Sequence, residues 1–495
     1  MKILRSFLLV LVLATACLPT PMPPAAPTPT PPNEIDLLRA ALTDSHQGDL
    51  ALVENATRYT ITLTYTAEPP SLVGSQTVTY WNRQTTPLRE IYFRLFANFP
   101  DSGGKISVTN VTVDGTPAST TLEAQDTALR VGLAQPLAPG AARTVRMDFN
   151  VAVPRVNSNR YADFGVSDTI ITLPSVYPVI PAYDAQGWHL EVPPPYGDLI
   201  YADASLYAVT LTAPATLTVI ASGSTVDVRA NSDGTRTWKL IGAPMRDFDL
   251  NLTAHLQKAT ATLGETTINS WYESEDAENG KQALQFATDA LRVFQKRLGA
   301  YPYRELDVVQ TPTSAGGIEY PGIIVIGRNL YKDKKEREFF EFATAHEVGH
   351  QWFYGVVGND QVNVPWLDEA LVQYVTLIYY EDVRGARAAQ SLLKGYFQDG
   401  YARTQQSGRD ATVNQPVAAF SEASYSAIVY GKGPLFFDAL RKKMGDDHFF
   451  QFLRTYYERY RYKNAAPEDL LRAAEEVCAC SVRAEYQQWI TSAGK

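Results

Sequence analysis

"EFATAHEVGHQWFYG", residues 341–355, holds two of the chain's six histidines. His346 and His350 are four positions apart, so on a helix they share a face, and Glu347 follows the first of them. Both imidazoles then reach one point in space, and the Glu347 carboxylate is aimed at whatever that point holds. Nineteen positions beyond His350 comes Glu369, in "VPWLDEALVQYV", residues 364–375, where Pro365 suits the first turn of another helix. That helix, packed on the first, brings a carboxylate in beside the imidazoles. Two histidines and one glutamate with a fourth position open are the donor set of a catalytic zinc site, whereas structural zinc fills all four places. The pattern predicts one zinc ion per chain on His346, His350 and Glu369, with Glu347 as general base toward a water.

The flanks supply a setting for this pair of helices. "TTINSWYE" is followed by Leu284, Ala287, Leu291, Phe294 and Leu298 at spacings of three and four, a helix that Gly299 and Pro302 end. "ELDVVQTP" and "GIIVIG" read as strands, and "TSAGGIEYPG", residues 313–322, lies between them with Gly316 and Gly317 ahead of a lone acid, Glu319. From about Lys335 helices dominate. Residues 257–495 are read as the catalytic domain. Residues 34–256 differ in texture: from about Arg58, runs such as "YTITLTYTA", "SQTVTYWN", "REIYFRLF" and "TVRMDFNVAV" alternate and are parted by Gly, Pro and Asn. They predict an antiparallel β sandwich or saddle, and the whole chain an α+β multidomain protein.

Residues 1–16 read as an export signal, with Lys2 and Arg5 ahead of an apolar run too short to span a bilayer. Ala-Thr-Ala-Cys resembles a bacterial lipobox, which makes Cys17 the lipid-bearing residue; the alternative is ordinary cleavage after Ala16. Residues 17–33 are a Pro/Thr-rich tether of polyproline type. This predicts an exported, extracytoplasmic protein held to a membrane through Cys17. The net charge of −9 argues against a nucleic-acid partner. Cys478 and Cys480 are too few for a disulfide framework, and either a local bond or two thiols fits the spacing.

The order of motifs resembles the gluzincin aminopeptidases, the family of aminopeptidase N. His-Glu-x-x-His, eighteen residues and then Glu is that family's zinc signature. "WLDEA" resembles its Trp-Leu-x-Glu-Gly, with Ala370 where Gly is usual. "GGIEY", residues 316–320, resembles its Gly-Ala-Met-Glu-Asn, and "VYGKG", residues 429–433, its Tyr-x-Lys-Gly. The resemblance implies a β domain followed by a thermolysin-like, mostly helical zinc peptidase domain acting on peptides. It implies that Tyr430 donates its hydroxyl to the oxyanion of the tetrahedral intermediate, and that Glu319 pairs with the substrate's free α-amino group. Gly316 and Gly317 keep a strand edge clear for peptide backbone, and Tyr425 lines the same pocket.

Two departures shape the expectations. Many members hold the amine with a second carboxylate from the β domain, but "ITLPSVYPVIPAYD", residues 171–184, has no acid before Asp184. Glu319 is therefore expected to hold the amine alone. The sequence ends with "EYQQWITSAGK", without the large helical domain of longer relatives, so a more open cleft is expected. An endopeptidase with the same zinc site, and a silent binding lipoprotein, stand as alternatives to an aminopeptidase.

Overall fold

The computed structural model describes residues 34–156, 161 and 164–493. The export signal, Cys17 and the tether up to residue 33 lie outside the described residues. In the strand Arg58–Ala67 the side chains of Tyr59, Ile61, Leu63 and Tyr65 are buried, and the threonines between them face out. Period-two alternation of this kind leaves one face of a sheet to pack. Eight strands join in that sheet, in the order Ser224–Ala230, Thr235–Met245, Ser205–Pro214, Arg58–Ala67, Pro70–Trp81, Ala142–Ala152, Lys105–Val113 and Thr116–Pro117.

The sheet departs from the expected antiparallel pattern at one place. Arg58–Ala67 and Ser205–Pro214 run parallel, with Ile61 beside Val209. A parallel pair needs a long crossover. Here the connection is much of the domain itself and carries two smaller sheets. One joins Leu88–Arg94, Ala128–Leu137 and Thr120–Glu123; the other pairs Ile171–Leu173, within the crossover, with Leu250–Thr253, which lies beyond it.

A separate five-stranded sheet runs Gln257–Leu263, Thr266–Tyr272, Glu305–Thr311, Ile323–Gly327 and Gly317–Ile318. Its third and fourth strands are parallel, and Gly317–Ile318 is a short antiparallel edge, so Glu319 stands just past the open side. The helix Ala277–Arg297 buries Ala287, Leu291 and Phe294, and Gly299 at φ 142° turns the chain out of it.

Two further helices, Arg337–His350 and Trp366–Arg384, form the centre. The first is buried without a break from Phe340 to His350, the second from Trp366 to Tyr380. A helix enclosed on every side has no solvent face, so the polar residues it carries must be satisfied by protein or by a bound group. No described helix is long and apolar enough to cross a membrane. Cys478 and Cys480 are joined as a disulfide where the helix Pro467–Cys478 ends.

Arg246 ties the β half to the helical half. Its Nε donates to the Tyr354 carbonyl at 2.5 Å, and its Nη2 to the carbonyls of Val356 at 3.1 Å and Lys463 at 2.7 Å. The guanidinium is 2% exposed and lies so close to Gly358 that a Cβ there would meet its carbon at 2.0 Å. Five donors in a rigid fork are matched to carbonyls of both halves.

Candidate active site

His346 and His350 extend from the last turn of Arg337–His350, and Glu369 from the first turn of Trp366–Arg384. His346 Nε2 is 3.1 Å from His350 Nε2, and Glu369 Oε2 is 3.2 Å and 3.3 Å from the two nitrogens. All three residues are buried. Four-coordinate zinc with bonds of about 2.0–2.2 Å separates neighbouring donors by roughly 3.3 Å, so the three atoms stand as zinc ligands stand. His350 Nδ1 lies 3.0 Å from the Phe353 carbonyl; as a donor there it leaves Nε2 with its lone pair free, the usual second contact of a ligating histidine. The donor set fits zinc.

Glu347 projects from the same helix toward the edge strand. A Cβ on Gly317 would stand 2.4 Å from Glu347 Cγ and 2.5 Å from its Oε1, so only glycine fits opposite this carboxylate. At Gly316 a Cβ would be tight but not blocked, 3.1 Å from the Phe339 ring. Glu319 follows on the turn, which Gln351 holds against the helix: its Oε1 accepts from Gly322 N–H at 2.9 Å, and its Nε2 donates to the Tyr320 carbonyl at 3.1 Å.

Tyr430 belongs to a π-helical stretch, Ser426–Lys432, and its hydroxyl donates to Glu369 Oε1. Gly433 follows, and a Cβ there would come within 2.6 Å of the Ala370 Cβ. Glycine at 433 thus makes room for Ala370, the alanine that departs from the family's motif. Tyr425 packs edge-on against Tyr430 at 5.6 Å, and its buried hydroxyl has no hydrogen-bond partner among the described residues.

The sequence pattern left out several residues of this cluster. Asp198 is the principal one: a carboxylate oxygen of Asp198 lies within 4.8 Å of both Glu319 and Glu369. The expectation that Glu319 would be the sole acid there is therefore corrected. The second acid comes from "PPPYGDL", downstream of the stretch where it was sought. Tyr196 anchors that segment by donating to the Phe420 carbonyl at 2.6 Å, and Gly197 fits against Val417, which a Cβ would meet at 2.7 Å. Asp184 instead pairs with His189, at 2.9 Å. Gln361 was also missed; its Nε2 donates at 2.9 Å both to Glu319 Oε1 and to Asp368 Oδ2. Asp368 is fixed further by Asn359 Nδ2 at 3.0 Å and by the Glu369 N–H at 2.9 Å.

Five carboxylates, those of Asp198, Glu319, Glu347, Asp368 and Glu369, therefore surround two imidazoles. Among the described residues none of the five is ion-paired with a lysine or arginine. Burial, and next the charge of Glu319, pushes Glu347 well above the ordinary carboxylate range. Burial likewise raises Asp198, with Glu319 and Glu369 adding to it, and Asp368 is pushed up to about 7 by burial and Glu369. Burial pulls His350 down, but the charges of Glu319 and Glu369 lift it well above its usual value. The site has a surplus of negative charge in low dielectric, a place for cations from outside the chain.

Residues 281–489 match the family described as Peptidase family M1 domain. Aminopeptidase M1-B of Oryza sativa subsp. japonica is 25% identical over 247 residues, 47% of this chain and 28% of that protein. Aminopeptidase N of Lactococcus lactis subsp. lactis is 28% identical over 195 residues, 37% of this chain and 22% of that protein. The chain thus spans about a quarter of the length of the curated relatives it matches. Among solved structures, the M1 zinc metallopeptidase from Deinococcus radiodurans superposes with a TM-score of 0.63 at 21% identity, covering 88% of this chain and 94% of that one. A mutant of that protein bound to a Tyr-Ser-Ala substrate superposes with the same TM-score of 0.63 at 20% identity, over 88% and 94% of the two chains. The superpositions carry the two-domain fold, and the matched stretch contains the whole His346, His350 and Glu369 cluster. By that stretch and its site, the chain is similar to the Peptidase family M1 domain and to the aminopeptidase N-like gluzincins.

Proposed function

We propose that the protein is a zinc metallopeptidase that removes N-terminal residues from peptides, with residues 257–495 as its catalytic domain. The observation that carries this reading is the pairing of Glu319 with Asp198 one step from the His346, His350 and Glu369 cluster. Two adjoining acids, Glu319 buried and Asp198 half-buried, with no basic partner among the described residues, are complementary to an α-ammonium group, which a blocked or internal peptide segment lacks. They favour an aminopeptidase over an endopeptidase. The mutant D. radiodurans neighbour bound to Tyr-Ser-Ala, a short peptide substrate, agrees with this reading.

His346, His350 and Glu369 would hold the zinc ion, which when bound supplies Lewis-acid polarisation of the scissile carbonyl and acidification of a water. Glu319 and Asp198 take the substrate ammonium between them and set the distance from the N-terminus to the bond that is cut. Glu347 removes the proton of the attacking water and passes it to the leaving amine. The Tyr430 hydroxyl turns from Glu369 to the oxyanion that develops on the former carbonyl, where one such donor is worth about 2.7–4 kcal/mol in other enzymes. Gly316 and Gly317 leave the sheet edge open, so the peptide backbone lies along it as an added strand.

The test is hydrolysis of aminoacyl chromogenic substrates, lost with a chelator and restored by zinc, with Glu347→Gln as control. Full activity of that variant would contradict the role of Glu347, and activity indifferent to chelation would contradict the zinc site. Extracytoplasmic placement and a lipid anchor on Cys17 belong to the same proposal and are supported by the leader and tether pattern of the sequence. Metabolic labelling with palmitate, in wild type and Cys17→Ser, tests them.

A further inference from the structure

A cavity opens directly beside Glu319 and Asp198, which are both part of its wall, and it encloses about 930 Å³ including its mouth. Phe96, Phe99, Phe164, Leu199 and Ile318 are in its wall, and no lysine or arginine is among its described lining residues. We infer that the protein selects peptides whose first residue is large and apolar, the side chain of that residue filling this cavity. The inference rests on the aminopeptidase reading, because an ammonium held by Glu319 and Asp198 places the substrate's first Cα at the cavity entrance.

The wall is built in advance of any ligand. Phe96 and Phe99 follow the strand Leu88–Arg94 on a short turn. Asn98 Oδ1 accepts from the Ile106 N–H at 2.8 Å, and the Arg94 guanidinium lies 4.9 Å from the centre of the Phe99 ring. Phe164 packs so tightly on Gly104 that a Cβ there would come within 2.3 Å of its ring. The Tyr354 hydroxyl, another possible polar contact, is committed to Asp247 Oδ2 at 2.8 Å. An apolar side chain entering the cavity therefore displaces water from apolar walls. An acidic one would be desolvated beside Asp198 and Glu319, with no lysine or arginine among the described lining residues to meet it.

Differences of a few methylenes in such a pocket change selectivity by about 10- to 200-fold. The zinc-loaded full chain, assayed on unblocked substrates differing only in the first residue, is expected to give kcat/KM values for Phe, Leu and Met roughly 10- to 100-fold above Ala, with Glu below Ala. Phe96→Ala, at a partly exposed position, is expected to cut the Phe-over-Ala ratio about tenfold, and Leu199→Trp, by filling the space, to invert it. Binding gives a second reading: millimolar L-phenylalanine should raise the melting temperature of the Glu347→Gln protein, and L-alanine and L-glutamate should not. A flat profile, or preference for Ala or Glu, in an enzyme that still rejects acetylated substrates would overturn the inference and leave the aminopeptidase reading intact. No cleavage of any unblocked substrate would overturn both.

Discussion

Gly317 lies against Glu347 so closely that a single methyl group on Gly317 would stand 2.4 Å from Glu347 Cγ. The edge strand and the Glu347 side chain are therefore set in one piece. Gly317→Ala is expected to lower kcat by about 100-fold, the effect of roughly 1 Å of displacement at a reacting group. Because the strand is short and at a sheet edge, the melting temperature should change little. Steady-state kinetics with thermal unfolding checks this, and near-normal kcat would show that Glu347 does not need its place.

Tyr430 tests the oxyanion role. Tyr430→Phe keeps the ring packed against Tyr425 and removes only the hydroxyl that donates to Glu369. A loss of kcat of about 100- to 1,000-fold with KM little changed is expected. A wild-type rate would remove the hydroxyl from the mechanism. Gly433→Ala should act in the same direction, because its Cβ would collide with Ala370 and push the Tyr430 segment outward.

Gln361 couples two acids at 2.9 Å each, Glu319 and Asp368. Gln361→Ala frees the Glu319 carboxylate to turn and is expected to raise KM for unblocked peptides about tenfold, a hydrogen bond to a charged group being worth roughly 1.5–3 kcal/mol. Zinc content measured on the purified variant should stay at one per chain. Loss of zinc would place Gln361 in support of the metal ligands instead.

His189 makes stability depend on pH. Burial pulls its pKa down, but the carboxylates of Glu191 and Asp184 outweigh this and raise it to about 9 from its ordinary 6.5. A raised histidine pKa means that the folded state binds the proton more tightly than the unfolded one. The stabilisation is fully present below pH 6.5 and is lost as pH rises through about 9. Glu191 and Asp360 flank the ring at 3.3 Å and 3.7 Å, so the site links the β half to the helical half. Melting temperatures of wild type should fall between these pH values, and His189→Gln should flatten that fall. Identical slopes in the two proteins would contradict the assignment.

The clustering of His346, His350 and Glu369 was legible because helical spacing is local: His346 and His350 must share a face once the segment is helical, and Glu369 opens the next helix. The strands were legible wherever burial alternates, as in Arg58–Ala67. Asp198 was not. Its place depends on Tyr196 reaching Phe420 across 224 positions and on Gly197 fitting against Val417, long-range contacts that "PPPYGDL" does not announce. An acid after a glycine in a proline-rich segment is usually a surface turn. The parallel pairing of Arg58–Ala67 with Ser205–Pro214 was hidden for a related reason, since alternation tells which face is buried and nothing of strand direction. Gln361 carries no charge to draw attention, and only its two acceptors mark it.

The account turns on an ammonium held by Glu319 and Asp198. The most direct measurement compares kcat/KM for one peptide with its N-terminus free and acetylated, in wild type, Glu319→Gln and Asp198→Asn. The expected result is a loss of at least about 100-fold on acetylation in wild type, charged-group contacts of this kind being worth roughly 1.5–3 kcal/mol each, and a much smaller difference between the two peptides in either variant. Equal cleavage of free and acetylated peptide by wild type would contradict it and leave an endopeptidase built on the same zinc site.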